Sequence, residues 1–358
     1  MNSSQLIFLH DGNAAALRLG EMLAKVFPVT GVNVLDRAQH GTTLGDGTVV
    51  CLSQTTLKKF DVVRKSFGLS AAQSVFVVPV FSAELDAILR ATGAKDYFVA
   101  PVEAEVLWQA VSAARTRGVE ASWENLPATQ RAALIASRKS FRKLFDDVRN
   151  GKLPDMADLE QSSRLVCNAA IGETLSYWLS VIKNHHDYTY RHCMFVCGTV
   201  VKFGQSLGMK PDDLVLLNMG GMLHDIGKAW IPLSILDKPN RLTKAERLEM
   251  NKHPSYSREI LGKVDDLDQR IVSMAVHHHE KLDGTGYPDG LRSAELNDLA
   301  RLTAIADVYS ALIDERAYKP AMTPEEAFAW MENTRGHLDL DMVTRFKEYI
   351  LDSTSAAA

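Results

Sequence analysis

Hydrophobic residues in the first third of the chain form short runs separated by stretches with helical spacing. Four of the runs are typical of buried strands: Leu6–Leu9, Val49–Leu52, Val75–Val78 and Tyr97–Val99. Around them, Ala14–Phe27 and Val102–Ala114 carry apolar residues at helical spacing. Because strands that alternate with helices pair in parallel, this pattern predicts an α/β domain with a parallel sheet and helices on both faces.

The strand pattern ends at Trp123, and the rest of the chain predicts helices joined by loops. Residues 126–149 are a polar amphipathic stretch, Gly151–Pro154 interrupts it, and residues 157–183 again have helical spacing. A chain of 358 residues is long enough for two domains. We therefore expect three segments: an α/β domain at 1–118, a helical connector at 119–160 and an all-α domain at 161–358.

Composition narrows the class of protein. The chain is 46% hydrophobic and 23% charged with a net charge of -4, so it shows no broad attraction to DNA or an anionic membrane. The first residues lack a secretory signal, and no apolar run approaches the ~20 residues that span a bilayer. The four cysteines form neither a disulfide framework nor a zinc knuckle, and Cys193 and Cys197 have the spacing of helix-core residues. We expect a cytoplasmic protein with no DNA or membrane partner.

Histidines and carboxylates concentrate beside apolar runs in the predicted all-α segment. The dipeptide His224-Asp225 follows one such run, residues 277–280 (His-His-His-Glu) follow another, and Asp307 interrupts a third. A lone His–Asp dipeptide is usually structural, but burying this many ionisable groups is costly unless they share a cation. Imidazole and carboxylate suit iron, manganese, zinc or nickel better than calcium. Adjacent ligands diverge by about 100° on a helix, so such pairs can serve two metals.

Two longer motifs carry a family resemblance. The first is residues 224–228, His-Asp-Ile-Gly-Lys, and the second is residues 278–288, His-His-Glu-Lys-Leu-Asp-Gly-Thr-Gly-Tyr-Pro. Three supporting motifs are Lys238-Pro239, His253-Pro254 and residues 315–319. In this order they resemble the HD-GYP family, metal-dependent phosphodiesterases that act on cyclic di-GMP. The resemblance extends over about residues 188–346.

The resemblance implies a role for each matching residue. The implied metal ligands are His192, His224, Asp225, His253, His278, His279 and Asp307. Asp225 would bridge two metals, and Lys228 would meet a substrate phosphate or the attacking water. Arg316 and Lys319 match positions that contact the substrate phosphates. Gly286 permits a tight turn near the ligand, and Tyr287 either contacts the substrate or only packs within its loop.

The N-terminal segment has a weaker resemblance of its own. Residues 92–101 resemble the end of a response-regulator receiver domain, over about residues 5–116 in all. A receiver domain needs an acidic cluster after its first strand, an acceptor aspartate after its third strand and a lysine before its final proline. Here Asp11 remains of the acidic cluster, and Ser53, not an aspartate, follows the run Val49–Leu52 that matches the third receiver strand. Ala100 replaces the lysine. The resemblance implies a degenerate receiver that binds a protein partner or self-associates.

The combined resemblance implies hydrolysis of cyclic di-GMP to the linear dinucleotide pGpG. The expected cofactors are two divalent cations, iron first and manganese as the alternative, which lower the pKa of a shared water so that hydroxide attacks phosphorus. Four departures from the family pattern, at Tyr188, Leu233, Ser257 and Ser310, together with the degenerate receiver, favour a different outcome, a catalytically weak module that binds cyclic di-GMP. Hydrolysis of another nucleotide is a third hypothesis.

Overall fold

The N-terminal unit contains a parallel sheet. The computed structural model describes residues 6–25, 27–36, 39, 44–171, 175–183, 185, 188–236, 238, 241–314 and 321–355. Within these residues the strands are β1 (Leu6–His10), β2 (Val29–Asn33), β3 (Thr48–Cys51), β4 (Ser74–Val78) and β5 (Asp96–Val99). Their order is β2-β1-β3-β4-β5, and every pair is parallel. This is one of the common orders of doubly wound α/β domains.

Helices cover both faces of this sheet. They are α1 (Ala14–Ala24), α2 (Gln54–Leu57), α3 (Phe60–Phe67), α4 (Ala83–Thr92) and α5 (Ala104–Ser122). One hydrophobic core includes Leu19 of α1 and Leu107 of α5, and the other includes Phe60 of α3 and Leu89 of α4. The predicted α/β fold with helices on both faces is confirmed. The pattern analysis missed β2.

The polar residues at the carboxyl edge of the sheet are joined by hydrogen bonds. Asp11 follows β1, and its Oδ2 accepts hydrogen bonds from Ser53 N at 2.8 Å and Thr56 Oγ1 at 2.7 Å. Its Oδ1 accepts from Asn13 Nδ2 at 2.6 Å. Burial raises the pKa of Asp11, but the hydrogen bonds from Ser53 and Thr56 outweigh burial and lower the pKa to about 2. Asp11 is therefore an ionised acceptor for the segment that follows β3.

The second unit consists of helices joined by loops and has no strand among its described residues. Its helices are α6 (Ala128–Arg149), α7 (Met156–Ala169), α8 (Leu175–Ile182), α9 (Tyr188–Ser206), α10 (Pro211–Leu223), α11 (Leu233–Leu236), α12 (Lys244–Met250), α13 (His253–Leu261), α14 (Gln269–His277), α15 (Asp298–Ile313), α16 (Pro324–Glu332) and α17 (Leu340–Ser355). The predicted all-α fold is confirmed, but the single helical stretch predicted at 157–183 is two helices. None of the described helices is both long enough and apolar enough to cross a membrane.

The chain divides into two compact units, Met1–Glu124 with His185–Asp187, and Asn125–Asn184 with Tyr188–Ala358. Helix α6, the main element of the expected connector, belongs to the second unit and packs on α7. The three-segment division at 1–118, 119–160 and 161–358 stays a prediction.

Candidate metal centre

Five helices direct histidines and carboxylates toward one place in the second unit. Helix α9 carries His192, the turn after α10 carries His224 and Asp225, and α13 begins at His253. The end of α14 leads into His278 and His279, and α15 carries Asp307. All of these except His279 are buried. The seven ligands that the resemblance implies are therefore brought together.

Asp225 lies at the centre of the cluster. Its Oδ2 is 3.2 Å from His224 Nε2 and 3.9 Å from His192 Nε2. Its Oδ1 is 3.2 Å from His253 Nε2 and 3.9 Å from His278 Nε2. Each carboxylate oxygen thus faces a different pair of imidazoles, which is the arrangement that a bridging carboxylate requires.

The backbone sets the orientation of three imidazoles. Nδ1 of His224, His253 and His278 lies 2.7, 2.8 and 3.0 Å from the carbonyl oxygen three residues earlier in the chain. A carbonyl oxygen only accepts hydrogen bonds, so each Nδ1 carries the proton and each Nε2 keeps a lone pair facing Asp225. Metal-ligating histidines typically have this kind of support.

Asp307 connects the two ends of the cluster. Its Oδ1 lies 2.9 Å from His192 Nε2, and its Oδ2 lies 3.8 Å from His279 Nδ1. Two of the groups whose ligand atoms lie within 4.8 Å of one another are His192 with His224 and Asp307, and His253 with His278 and His279. Asp225 lies between these two groups and faces histidines of both.

Electrostatics keep most of the ligands in their metal-binding protonation state. Burial lowers the pKa of His278, as do the neighbouring imidazoles, and burial lowers the pKa of His279 to about 3. Burial opposes ionisation of Asp225, but Lys228 and His224 outweigh it and hold the pKa well below its usual value. The pKa of His224 shifts the other way: burial lowers it, but the Asp225 carboxylate outweighs burial and raises the pKa.

Two buried ligand atoms have no hydrogen-bond partner, His224 Nε2 and Asp225 Oδ1. A lone pair that faces a carboxylate in the interior is unfavourable unless a cation lies between them. Nitrogen and oxygen donors in this mixture fit a first-row divalent metal. The residues present therefore fit the metals that the resemblance implies.

The HD turn, residues 224–227, packs directly against α13, the helix that begins at His253. A Cβ on Gly227 would collide with the His253 carbonyl oxygen, so only glycine permits this approach. Gly227 N donates to Ser257 Oγ at 3.0 Å. Ser257, a departure from the family pattern, thus ties α13 to the turn that carries Asp225. Sequence analysis did not identify this role.

The loop after His279 is organised by Glu280, a buried residue that sequence analysis missed. Its carboxylate accepts from Asp289 N at 2.6 Å, Gly290 N at 3.0 Å and Leu291 N at 3.1 Å. The available signal was its position directly after a buried histidine pair, where a carboxylate needs partners.

The two predicted loop residues lie against the histidine segment. A Cβ on Gly286 would collide with the backbone of Glu280 and Lys281. The Tyr287 ring stacks on His279 at a centroid distance of 4.9 Å, and burial raises the Tyr287 pKa. Tyr287 therefore packs over a candidate ligand. Arg316 and Lys319 lie outside the described residues.

Comparisons with known proteins identify a family model and several relatives. Residues 173–342 match the family model described as HD domain. A cyclic di-GMP phosphodiesterase of Pseudomonas aeruginosa is 35% identical over 222 residues, 60% of this chain and 53% of that protein. A cyclic di-GMP phosphodiesterase response regulator of Xanthomonas campestris is 32% identical over 240 residues, 67% of this chain and 60% of that protein.

One solved structure supports the fold. It is an HDG"Y"P protein from Bdellovibrio bacteriovorus, with a TM-score of 0.51 and 20% identity, covering 69% of this chain and 80% of that one. Identity at this level shows the fold alone. The chain spans 53% and 60% of the lengths of the two curated relatives.

Proposed function

We propose that this chain, whose residues 173–342 match the HD-domain family model and whose motifs resemble those of the HD-GYP family, is a metal-dependent phosphodiesterase that hydrolyses cyclic di-GMP. The observation that carries the proposal is the convergence of five candidate histidine ligands on Asp225 and Asp307 in one cluster. The names of the two relatives supply the substrate class.

The proposed cofactors are two divalent cations, with iron the first expectation and manganese the alternative. His192, His224 and Asp307 would hold one of them, and His253, His278 and His279 the other. Asp225 would serve both, since its two oxygens face different imidazole pairs. Such a pair would supply Lewis acidity and would lower the pKa of the attacking water.

Residues of the chain would orient the metal ligands and offset the negative charge of the substrate phosphate. The backbone carbonyls fix the imidazole tautomers of His224, His253 and His278 before substrate arrives. Lys228 adds a cation at the edge of the cluster, where negative charge develops on the phosphoryl oxygens. We propose that Tyr287 contacts the substrate from above His279, and that Arg316 and Lys319 meet its phosphates.

The proposed first product is the linear dinucleotide pGpG, because opening a cyclic dinucleotide breaks one phosphodiester bond. The test is incubation of the full chain, loaded anaerobically with Fe²⁺ or Mn²⁺, with excess cyclic di-GMP and with other cyclic dinucleotides in parallel. Chromatography with mass spectrometry follows the products over time. Appearance of pGpG before GMP is expected.

The matched variants are Asp225→Ala and Asp212→Ala. Asp212 is exposed in the first turn of α10 and pairs with Arg164. Removing the shared carboxylate should lower metal content by elemental analysis and reduce turnover at least about 100-fold, whereas Asp212→Ala should match the unmodified protein. If the unmodified protein binds cyclic di-GMP without hydrolysing it, the enzyme proposal is wrong and the chain is a binding module. If it hydrolyses another nucleotide faster, the proposed substrate is wrong.

A further inference from the structure

A thiol lies beside the candidate metal centre that the proposed ligand set does not use. Cys193 directly follows His192 on α9 and is completely buried. Its sulfur, a ring nitrogen of His224 and a carboxylate oxygen of Asp225 lie within 4.8 Å of one another. Atoms that bind one first-row cation at about 2.0–2.3 Å lie within roughly 4.5 Å of each other. The three atoms are thus close to the spacing of a shared cation.

The partners of Cys193 in this triad point to a ligand. His224 Nδ1 is engaged with the Gly221 carbonyl oxygen, so Nε2 is the nitrogen available for binding. His224 Nε2 is buried without a hydrogen-bond partner, and His224 is 0% exposed. A weak thiol donor does not replace the partner that such an atom requires.

The neighbouring cysteine on the same helix, Cys197, lies outside the candidate metal-binding groups of the described residues. Cys197 lies one turn later, and its sulfur is 3.7 Å from the carbonyl oxygen of Asn218. Burial raises the pKa of the Cys197 thiol, and no metal-binding group among the described residues includes it. Cys197 therefore has the environment of a core residue and provides a matched control.

We propose that Cys193 is a sulfur ligand of the cation held by His192, His224, Asp225 and Asp307. On binding, the S–H bond breaks, the proton goes to solvent and the sulfur donates its electron pair to the cation. A thiolate favours zinc or iron over manganese or magnesium, which prefer oxygen. Cys193 would therefore bias this half-site toward softer metals. The inference rests on the proposed metal-dependent function.

X-ray absorption spectroscopy of the full chain loaded anaerobically with Zn²⁺ alone tests the assignment without measuring activity. The unmodified protein should show a sulfur scatterer at about 2.3 Å from zinc. Cys193→Ser should lose it, and Cys197→Ser should keep it. In competition between Zn²⁺ and Mn²⁺, the bound zinc-to-manganese ratio should fall about 10-fold in Cys193→Ser only.

The outcomes separate this inference from the function on which it rests. Bound zinc surrounded by nitrogen and oxygen alone in the unmodified protein would overturn the sulfur ligand and leave the phosphodiesterase proposal standing. Failure of the unmodified protein to bind zinc, iron or manganese would overturn both. If Cys193→Ser does not fold, the spectrum of the unmodified protein and that of Cys197→Ser still decide the question.

Discussion

Lys228 Nζ lies 2.5 Å from Asp225 Oδ2 and is paired with the carboxylate that faces four candidate ligand histidines. The lysine follows the aspartate by three residues, within the short 3-10 segment Ile226–Trp230. Asp225 is buried, whereas the Lys228 side chain is 18% exposed. The lysine thus connects the buried cluster with its solvent side.

Replacing Lys228 by alanine should separate catalysis from metal binding. We expect Lys228→Ala to retain its metals, because histidine and carboxylate ligands remain, and to lose about 100-fold in turnover. Elemental analysis and steady-state rates measure the two effects. Lys347→Ala is the control, since Lys347 pairs with Glu332 at 2.8 Å outside the cluster. Loss of metal with unchanged turnover per bound metal would make Lys228 structural.

The contact between Gly227 and the His253 backbone predicts a second sensitive position. Gly227→Ala forces the HD turn and α13 apart, because the added Cβ meets a backbone carbonyl that cannot rotate away. We expect a loss of about 2–3 kcal/mol in unfolding free energy, together with reduced metal content.

Chemical denaturation and elemental analysis measure the two effects of Gly227→Ala. Gly45→Ala is the control, because a Cβ there has no neighbour within 4 Å among the described residues. Equal stability and metal content in the two variants would contradict the packing argument.

Glu280 predicts an effect confined to the loop that follows the histidine pair. Glu280→Ala leaves three backbone N–H groups at residues 289–291 without their acceptor. We expect a loss of about 2–4 kcal/mol in stability and faster hydrogen exchange at these amides. Glu259→Ala, which removes an exposed pair with Lys263, should alter neither. Unchanged exchange at residues 289–291 would show that the loop is held by other contacts.

The metal cluster could be predicted because its ligands belong to motifs of neighbouring residues that are visible in the sequence. The hydrogen bonds that support the ligands join residues far apart in the chain. The hydrogen bond between Gly227 and Ser257 spans 30 residues. Periodicity contains no information about which hydroxyl meets which N–H group, so Ser257 looked like a departure rather than a link. Glu280 was overlooked for the same reason.

The strand that was missed has an equally physical explanation. β2 is Val-Thr-Gly-Val-Asn at the edge of the sheet, and only Val32 within it is buried. An edge strand does not need the continuous apolar run that central strands such as β4 show, all five of whose residues are buried. The central strands, and β5 at the other edge, were therefore predictable from their apolar runs, although no residue of β5 is fully buried. β2 was not predictable because Thr30, Gly31 and Asn33 interrupt its apolar residues.

The polar network around Asp11 predicts that the N-terminal unit does not undergo phosphorylation. Ser53 and Thr56 occupy Asp11 Oδ2, and Ser53 offers no acceptor carboxylate after β3. Incubation with acetyl phosphate and Mg²⁺ should leave residues 1–118 unlabelled, while an active receiver domain treated in parallel becomes labelled. Mass spectrometry and acid-labile phosphate measure the result. An aspartyl phosphate in this region would contradict the expectation.

Tyr188 predicts the number of metals. Family members often have a glutamate at this position, one helical turn before the first ligand histidine, and a third divalent cation beside two others needs such an anionic ligand. Here the Tyr188 ring stacks over His192 at 6.1 Å with an interplanar angle of 9°, and the Arg191 guanidinium lies 5.5 Å from the Tyr188 ring. A phenol has an ordinary pKa of about 10, so it supplies no negative charge at neutral pH.

We therefore expect two metals per chain, and slow cleavage of pGpG to GMP if a third metal helps hold the linear intermediate. Anomalous diffraction at the metal edge counts the sites in crystals of the loaded protein. Tyr188→Glu restores a carboxylate one turn from His192 and should add a third peak, whereas Tyr188→Phe should not. Tyr188→Glu should also speed conversion of pGpG relative to opening of cyclic di-GMP. Three well-occupied peaks near His192, His224 and His279 in the unmodified protein would show that the cluster binds a third cation without the glutamate.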